Sequence, residues 1–540
     1  MVKEKKRSAE HKPAKKLSAK RSFLDTDNKR SAFLIGFLSV LVLHDFITHV
    51  TAFEFSHAYT ADGPLYWTVG RAMLKGMRPY IDMYENKPVG VFALCALSFA
   101  LTDDITLCSC ISVLSILVIS LTPLFAVLAY YRNNGGKDKP YDIHVICSSA
   151  LALLGGVILA SYCEDRSGGY QIEAIGTAFS LLFIMAARAV KNAKTKKQQI
   201  VRTAFAAVFI SAAVMMKEPF LLVAAAGAML FMESFKDLLK CIVIPCAAGG
   251  AATVTALAAS GMLKPYLTIY IRQMFSTRLS GGSSAFTRIR DIDLLSGDLI
   301  DFDRGLFAAV LFFIVLCLWA VTKRETTDTV YHVCRIVCAV FIASFCVGMG
   351  GQYFNHHFIF AAPVYGAFLI YGSEQMYRLQ KNGKIADFAA ISCFAAILMI
   401  AVSNSGRGYG GDYTERYELL KEKAQYVDDM LDFHGVDRYQ YLGFNGEDVF
   451  VGLTEHLPQG PVFVQDPDNF PTKDTWFSKQ LIEQLNNVDI VIVNEVNAGT
   501  ISDDVQNILN TQFYPLPESG SYRGEKPKDF DYKIYYRHGM

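Results

Sequence analysis

Charge is scarce in this sequence. Only 19% of its residues are Asp, Glu, Lys or Arg, where an ordinary soluble chain carries about a quarter. The shortfall, with a mean hydropathy of +0.25, excludes a purely soluble globular protein of this length. Paired cysteines are missing too. The 12 cysteines contain no CxxC spacing, and most sit inside apolar runs (Cys108, Cys110, Cys241, Cys317, Cys346). That pattern excludes a zinc framework or a disulfide scaffold and reads as small lipid-compatible core residues. Internal repeats are absent, and the segments read below as cytoplasmic hold no Gly-rich phosphate loop.

The first segment, "MVKEKKRSAEHKPAKKLSAKRSF", lacks the roughly 7–15-residue apolar core of a cleavable leader. Residues 1–31 are therefore expected to form a basic cytoplasmic tail that touches anionic lipid. Its place directly before an apolar run argues against a nucleic-acid arm, and no nucleic-acid partner is expected.

What is abundant is apolar residues, 52% of the chain, and they come in blocks. From Phe33 to Val402 about eleven runs approach the ~20 residues that span hydrocarbon. Among them are "ISVLSILVISLTPLFAVLAYY" from Ile111 and "GLFAAVLFFIVLCLWAV" from Gly305. The sequence predicts an α-helical polytopic membrane protein with about eleven transmembrane helices, residues 32–403. With the N-terminus inside, the 52 Lys and Arg divide into roughly 28 on inner segments, 12 on outer loops and 12 after residue 403. This asymmetry requires that "NKPVGVFALCALSFALT" (residues 86–102) does not cross. Residues 51–104 then form one amphipathic outer loop with two helices lying along the membrane. After Val402 the texture changes. "YTERYELLKEKAQYVDDML", "TWFSKQLIEQL", the strand-like "DIVIVNE" and "SDDVQNILN" predict a small extracytoplasmic α/β domain over residues 404–540.

Ionisable clusters fall on the outer side of this scheme. Asp62 stands where a helix begins, with Pro64 close behind, so it reads either as an N-cap or as a carboxylate that takes a proton from an acceptor hydroxyl. In "PYIDMYENKPVG", Glu85 and Lys87 flank a turn where the lysine reads as snorkelling toward lipid heads or as holding one phosphate. "MMKEPF" joins two short apolar runs, so Lys217 is expected at some depth, paired with its neighbour Glu218 or free for function. Glu173 opens a span, where an acid also suits the helix dipole. His44 and Asp45, late in the first span, are candidates to face the bundle. Adjacent His356 and His357 point about 100° apart on a helix, which argues against a chelating pair. No metal site is expected, although a divalent metal requirement stays open.

These stretches, in this order, resemble the polytopic glycosyltransferases of the GT-C fold, in the group of protein O-mannosyltransferases and aminoarabinose-lipid transferases. The first-loop pattern is matched by Asp62, Tyr66, Gly70, Met73, Gly76, Pro79, Tyr80, Asp82, Glu85, Lys87 and Pro88. Later matches are Glu173, then Lys217 with Pro219, then Tyr353, His356 and Pro363. His357 departs from the pattern, which has tyrosine there. The resemblance implies a transferase that uses a polyprenyl-phosphate sugar outside the cytoplasm, with a glycan, lipid or protein as acceptor. It implies Asp62 as catalytic base and Lys87, Lys217 and His356 on the donor phosphate. Tyr66, Asp82, Glu85, Glu173 and His357 would line the acceptor side, with no cofactor. Two readings compete: a lipid or solute transporter, which predicts repeats and mid-membrane polar residues, and a non-catalytic scaffold for envelope glycan assembly.

Overall fold

The computed structural model describes residues 23–57, 62–133, 143–167, 172–278, 326–350, 354–381, 414–443, 450–463, 476–494, 502–515 and 524–539, with isolated positions between. The runs from Gly305 and over 388–402 lie largely outside the described residues, as do Tyr353 and the side chain of Asp45. His44 is exposed and does not face the bundle.

The chain is mostly helical, with a small sheet near its C-terminus. Helix α1 (Phe23–His57) leads into a helical hairpin, α2 (Gly63–Leu74) and α3 (Val89–Thr102). The bundle continues with α4 (Thr106–Asn133), α5 (Ile143–Ser167), α6 (Ile172–Lys191), α7 (Lys196–Met216) and α8 (Phe220–Met229). It is completed by α9 (Phe235–Ala259), a segment over 263–278, α10 (Thr326–Val347) and α11 (Ala362–Lys381).

Among the described residues, five helices are long and apolar enough to cross a membrane: α4, α6, α7, α9 and most of α10. Their starts follow local chemistry. The Thr195 hydroxyl accepts from the Gln198 N–H at 3.2 Å and opens α7. Within α9, Pro245 brings no N–H to the ladder, and the turn before it, Leu239–Val243, widens to π geometry.

The hairpin leaves and re-enters the bundle at one end. Helix α3 has 14 residues, about 21 Å, and is too short to cross ~30 Å of hydrocarbon. It ends at Asp103 in the left-handed region (φ 58°), and the Ser98 hydroxyl then accepts from the Cys108 N–H at 3.2 Å, joining α3 to the start of α4. Helices α2 and α3 approach closely because Gly70 has no side chain: a Cβ there would lie 2.5 Å from that of Cys95.

The C-terminal part supplies four strands: β1 (Tyr439–Leu442), β2 (Ile490–Asn494), β3 (Phe513–Pro515) and β4 (Tyr532–Arg537). Their order is β1-β2-β4-β3, with β1 and β2 parallel and the other pairs antiparallel. The expected helices are present as α12 (Thr414–His434), α13 (Trp476–Leu485) and α14 (Asp503–Gln512). Helix α13 lies in the crossover that a parallel pair requires. This unit sits on the α2–α3 hairpin and shares one core with it, Trp67 and Phe92 lying in the same buried cluster as Val427 and Ile492. Arg71 donates to the carbonyls of Gly452 (2.6 Å) and Thr454 (2.8 Å), and the Tyr84 N–H donates to Pro461 O at 2.7 Å.

Candidate functional site

Asp62 begins α2 without capping it. Its carbonyl accepts from the N–H groups of Leu65 and Tyr66, but its carboxylate makes no bond to the helix N-terminus. Pro64, in the first turn, removes one donor that such a cap would serve. The carboxylate turns instead to the side chains around it. Oδ2 accepts from the Tyr66 hydroxyl at 2.9 Å and lies 3.4 Å from Lys87 Nζ. The N-cap role is thereby corrected: Asp62 occupies the position, and its side chain is engaged elsewhere.

Lys87 is buried, its ammonium 2.9 Å from Asn86 Oδ1, 3.5 Å from Glu85 Oε1 and over the Tyr66 ring. It therefore does not snorkel outward. Tyr80 fixes the segment that carries it. Its hydroxyl donates to the Lys87 carbonyl at 2.7 Å, while its backbone takes φ 69°, uncommon for a residue with a Cβ. Stacking on Tyr270, ring centroids 5.1 Å apart, holds that conformation.

A second cluster adjoins the first. Lys217 donates to Glu173 Oε1 at 2.6 Å and lies over the Phe360 ring, and His356 Nε2 is 4.0 Å from the same oxygen. Of the two readings for Lys217, the pairing with its neighbour Glu218 does not form. Glu218 Oε1 instead accepts from the hydroxyls of Tyr266 (3.1 Å) and Tyr270 (2.7 Å). Glu173 is fully buried, and its other oxygen, Oε2, has no hydrogen-bond partner among the described residues.

The electrostatics tie the two clusters together. Burial alone pushes the Asp62 carboxyl up, but Lys87 above all, then His356, the Tyr66 hydroxyl and Lys217, hold it down at about 2. The Tyr66 hydroxyl is pushed well above its ordinary value by burial and then by Asp62 and Glu173, so it stays a donor. Burial lowers His356 to about 4, Glu173 opposing and Lys217 reinforcing the drop. His356 is thus neutral near pH 7. In that state it offers an N–H to an anion.

Most of the candidates from the sequence therefore converge: Asp62, Tyr66, Glu85 and Lys87 from the hairpin, Glu173 from α6, Lys217 after α7, and His356. His357 packs beside His356, ring centroids 4.6 Å apart, and is buried against Phe360. Asp82 is the exception. It accepts from the Arg78 backbone N–H at 2.8 Å and pairs with the Arg78 guanidinium at 3.2 Å on the exposed turn, so it is corrected to a local turn residue. Tyr266 and Tyr270 escaped the sequence reading, which named Glu218 only as a neighbour of Lys217. Their one signal was the pair of tyrosines four apart within "MLKPYLTIY". Among the described residues no three His, Cys, Asp or Glu side chains group as a metal site.

No family model matches this chain, and no curated protein matches it significantly in sequence.

Proposed function

We propose that the chain is a polytopic membrane glycosyltransferase that moves a sugar from a polyprenyl-phosphate donor to a hydroxyl acceptor outside the cytoplasm. The observation that carries this reading is the Asp62 carboxylate, which does not cap its helix and is held beside a buried lysine. The acceptor hydroxyl gives its proton to Asp62, and its oxygen attacks the anomeric carbon. The bond from that carbon to the phosphate oxygen breaks, and the lipid phosphate departs with the electron pair. A single displacement inverts the anomeric centre.

A carboxylate held near 2 is a weak base, whereas general bases work best nearer the operating pH. The donor resolves this. A phosphate drawn to Lys87 and Lys217 neutralises the charges that depress Asp62, so its basicity rises only once the donor is bound. The same lysines then face the charge that builds on the leaving phosphate, where preorganised donors act most strongly. His356 donates a hydrogen bond to the phosphate, and buried Glu173 holds the Lys217 ammonium in place. In this reading the N-terminal tail is cytoplasmic and the sheet-bearing unit roofs the site from outside.

The test compares lipid extracts and envelope glycans from cells lacking the protein, complemented with wild type or with Asp62→Asn. A polyprenyl-phosphate sugar should accumulate in the null and Asp62→Asn cells, together with a glycan that loses one residue. Unchanged lipids and glycans in the null cells would end the reading.

A further inference from the structure

At the end of the bundle opposite Asp62 lies a cavity of about 670 Å³, between the ends of α4, α6, α7, α10 and α11. Helix α6 joins the two regions. Glu173 is at its first turn and Arg188 at its last, about 22 Å apart along the axis. The cavity wall carries five cationic side chains, Arg188, Lys191, Lys194, Arg202 and Arg335, against two carboxylates, Glu233 and Glu374. Both carboxylates are engaged, Glu374 with Arg188 and Glu233 with Lys191 at 3.2 Å. The formal charge of the wall is +3.

A fringe of solvated lysines at a membrane boundary would also be basic, but it would not be concave or held in place. Here the guanidinium of Arg202 donates to the Ala189 carbonyl at 2.6 Å, and buried Arg335 donates to the Met229 carbonyl at 3.1 Å. Arg188 lies 4.5 Å over the Phe231 ring, and that ring meets Tyr371 edge to face. Fixed donors lose little freedom on meeting an anion. The size falls in the range of small-molecule sites, about 300–1,000 Å³. Aromatic rings and the amides of Gln198 and Gln375 complete a surface suited to an organic group bearing the charge.

We propose that this cavity is a second ligand site, distinct from the Asp62 cluster, which binds an organic phosphate. The phosphate meets Lys194, Arg202 and Arg335, and the attached group packs on the aromatic wall. Its chemistry is shared by the headgroup of an anionic phospholipid and by a soluble phosphomonoester. The site does not depend on the glycosyltransferase reading.

The test measures binding to the purified full-length protein in neutral detergent, with three probes. These are dihexanoyl phosphatidic acid, glycerol 3-phosphate and zwitterionic dihexanoyl phosphatidylcholine. At least one phosphomonoester should bind more tightly than the phosphatidylcholine. Binding by phosphatidic acid alone identifies a lipid source, and equal binding of glycerol 3-phosphate a soluble one. Losing one charged contact, in Lys194→Gln or Arg202→Gln, should weaken that probe about tenfold. Lys421→Gln, on the unit at the Asp62 end, should leave binding unchanged. Lys194 is exposed, so Lys194→Gln with an unchanged melting temperature decides the matter even where Arg202→Gln fails to fold. No preference over phosphatidylcholine, no loss in Lys194→Gln, or an equal loss in Lys421→Gln would overturn the site.

Discussion

Lys217 and Glu173 stand 44 positions apart and meet at 2.6 Å, one just past the end of α7 and the other in the first turn of α6. The lysine ignores the glutamate beside it in the chain. The pair sets two clusters of charge at one end of the bundle, and its energetics can be tested directly.

Glu173→Gln leaves the Lys217 ammonium buried with its carboxylate gone. Breaking one half of a buried ion pair costs about 3–5 kcal/mol. The melting temperature in detergent should fall sharply. Adding Lys217→Met should recover most of it, because the second change removes the stranded charge. A double variant no more stable than Glu173→Gln would show that the two residues are not coupled.

Asp62→Asn keeps a side-chain oxygen for the Tyr66 hydroxyl but leaves the buried Lys87 ammonium without one of the two carboxylates beside it, so it should lower the melting temperature in detergent while the protein still folds. Under the proposed function its turnover should drop by about 10²–10⁴, because an amide cannot take the proton. Turnover at the wild-type rate in a folded Asp62→Asn protein would remove Asp62 as the base.

Acid should destabilise the protein through His356 well before Asp62 is reached. The folded state holds His356 at about 4, below its ordinary value of 6.5, so between those values the unfolded chain binds more protons. Stability therefore rises with pH across that window, with a slope from this group of at most about 1.4 kcal/mol per pH unit. Its contribution is complete above pH 6.5 and is lost as the pH falls toward 4. Denaturant titrations at pH 7 and pH 5 should show a smaller loss in His356→Asn than in wild type. Equal losses would assign the pH dependence elsewhere.

Arg71→Met should loosen the sheet-bearing unit from the hairpin. It removes two hydrogen bonds from a charged donor to the carbonyls of Gly452 and Thr454. At roughly 1.5–3 kcal/mol for such bonds, the detached population rises tenfold or more. Limited proteolysis at low protease, where cleavage follows that population, should speed up accordingly. An unchanged cleavage rate would mean that the shared apolar core alone holds the unit.

Single cysteines at Asn86 and Thr102, in a background without native cysteines, should react with an impermeant thiol reagent from the same side of the membrane. A cysteine at Lys194 should react only from the other side. Opposite sidedness for Asn86 and Thr102 would mean that α3 crosses.

Much of the architecture was legible in the residues because it rests on local rules. Of about eleven apolar runs expected to span, five are long apolar helices among the described residues. The α/β alternation after residue 404 became a four-stranded sheet with its helices. Periodicity acts within a few residues, so a linear reading reaches it. The same reading placed Asp62, Lys87, Glu173, Lys217 and His356 at one end of the bundle, since run length and charge asymmetry order the helix ends. What it could not supply was the choice of partners. Whether Asp62 caps its helix or turns to Tyr66 and Lys87 depends on a hairpin that brings residue 87 back over residue 62. Lys217 faces Glu173 and Glu218 faces Tyr266 and Tyr270 because α6, α7 and the 263–278 segment are neighbours in space. Asp82 lies within five positions of Lys87, yet a tight turn gives its carboxylate to Arg78. Charges select partners within a few ångströms, and that distance was decided by packing between segments far apart in the chain.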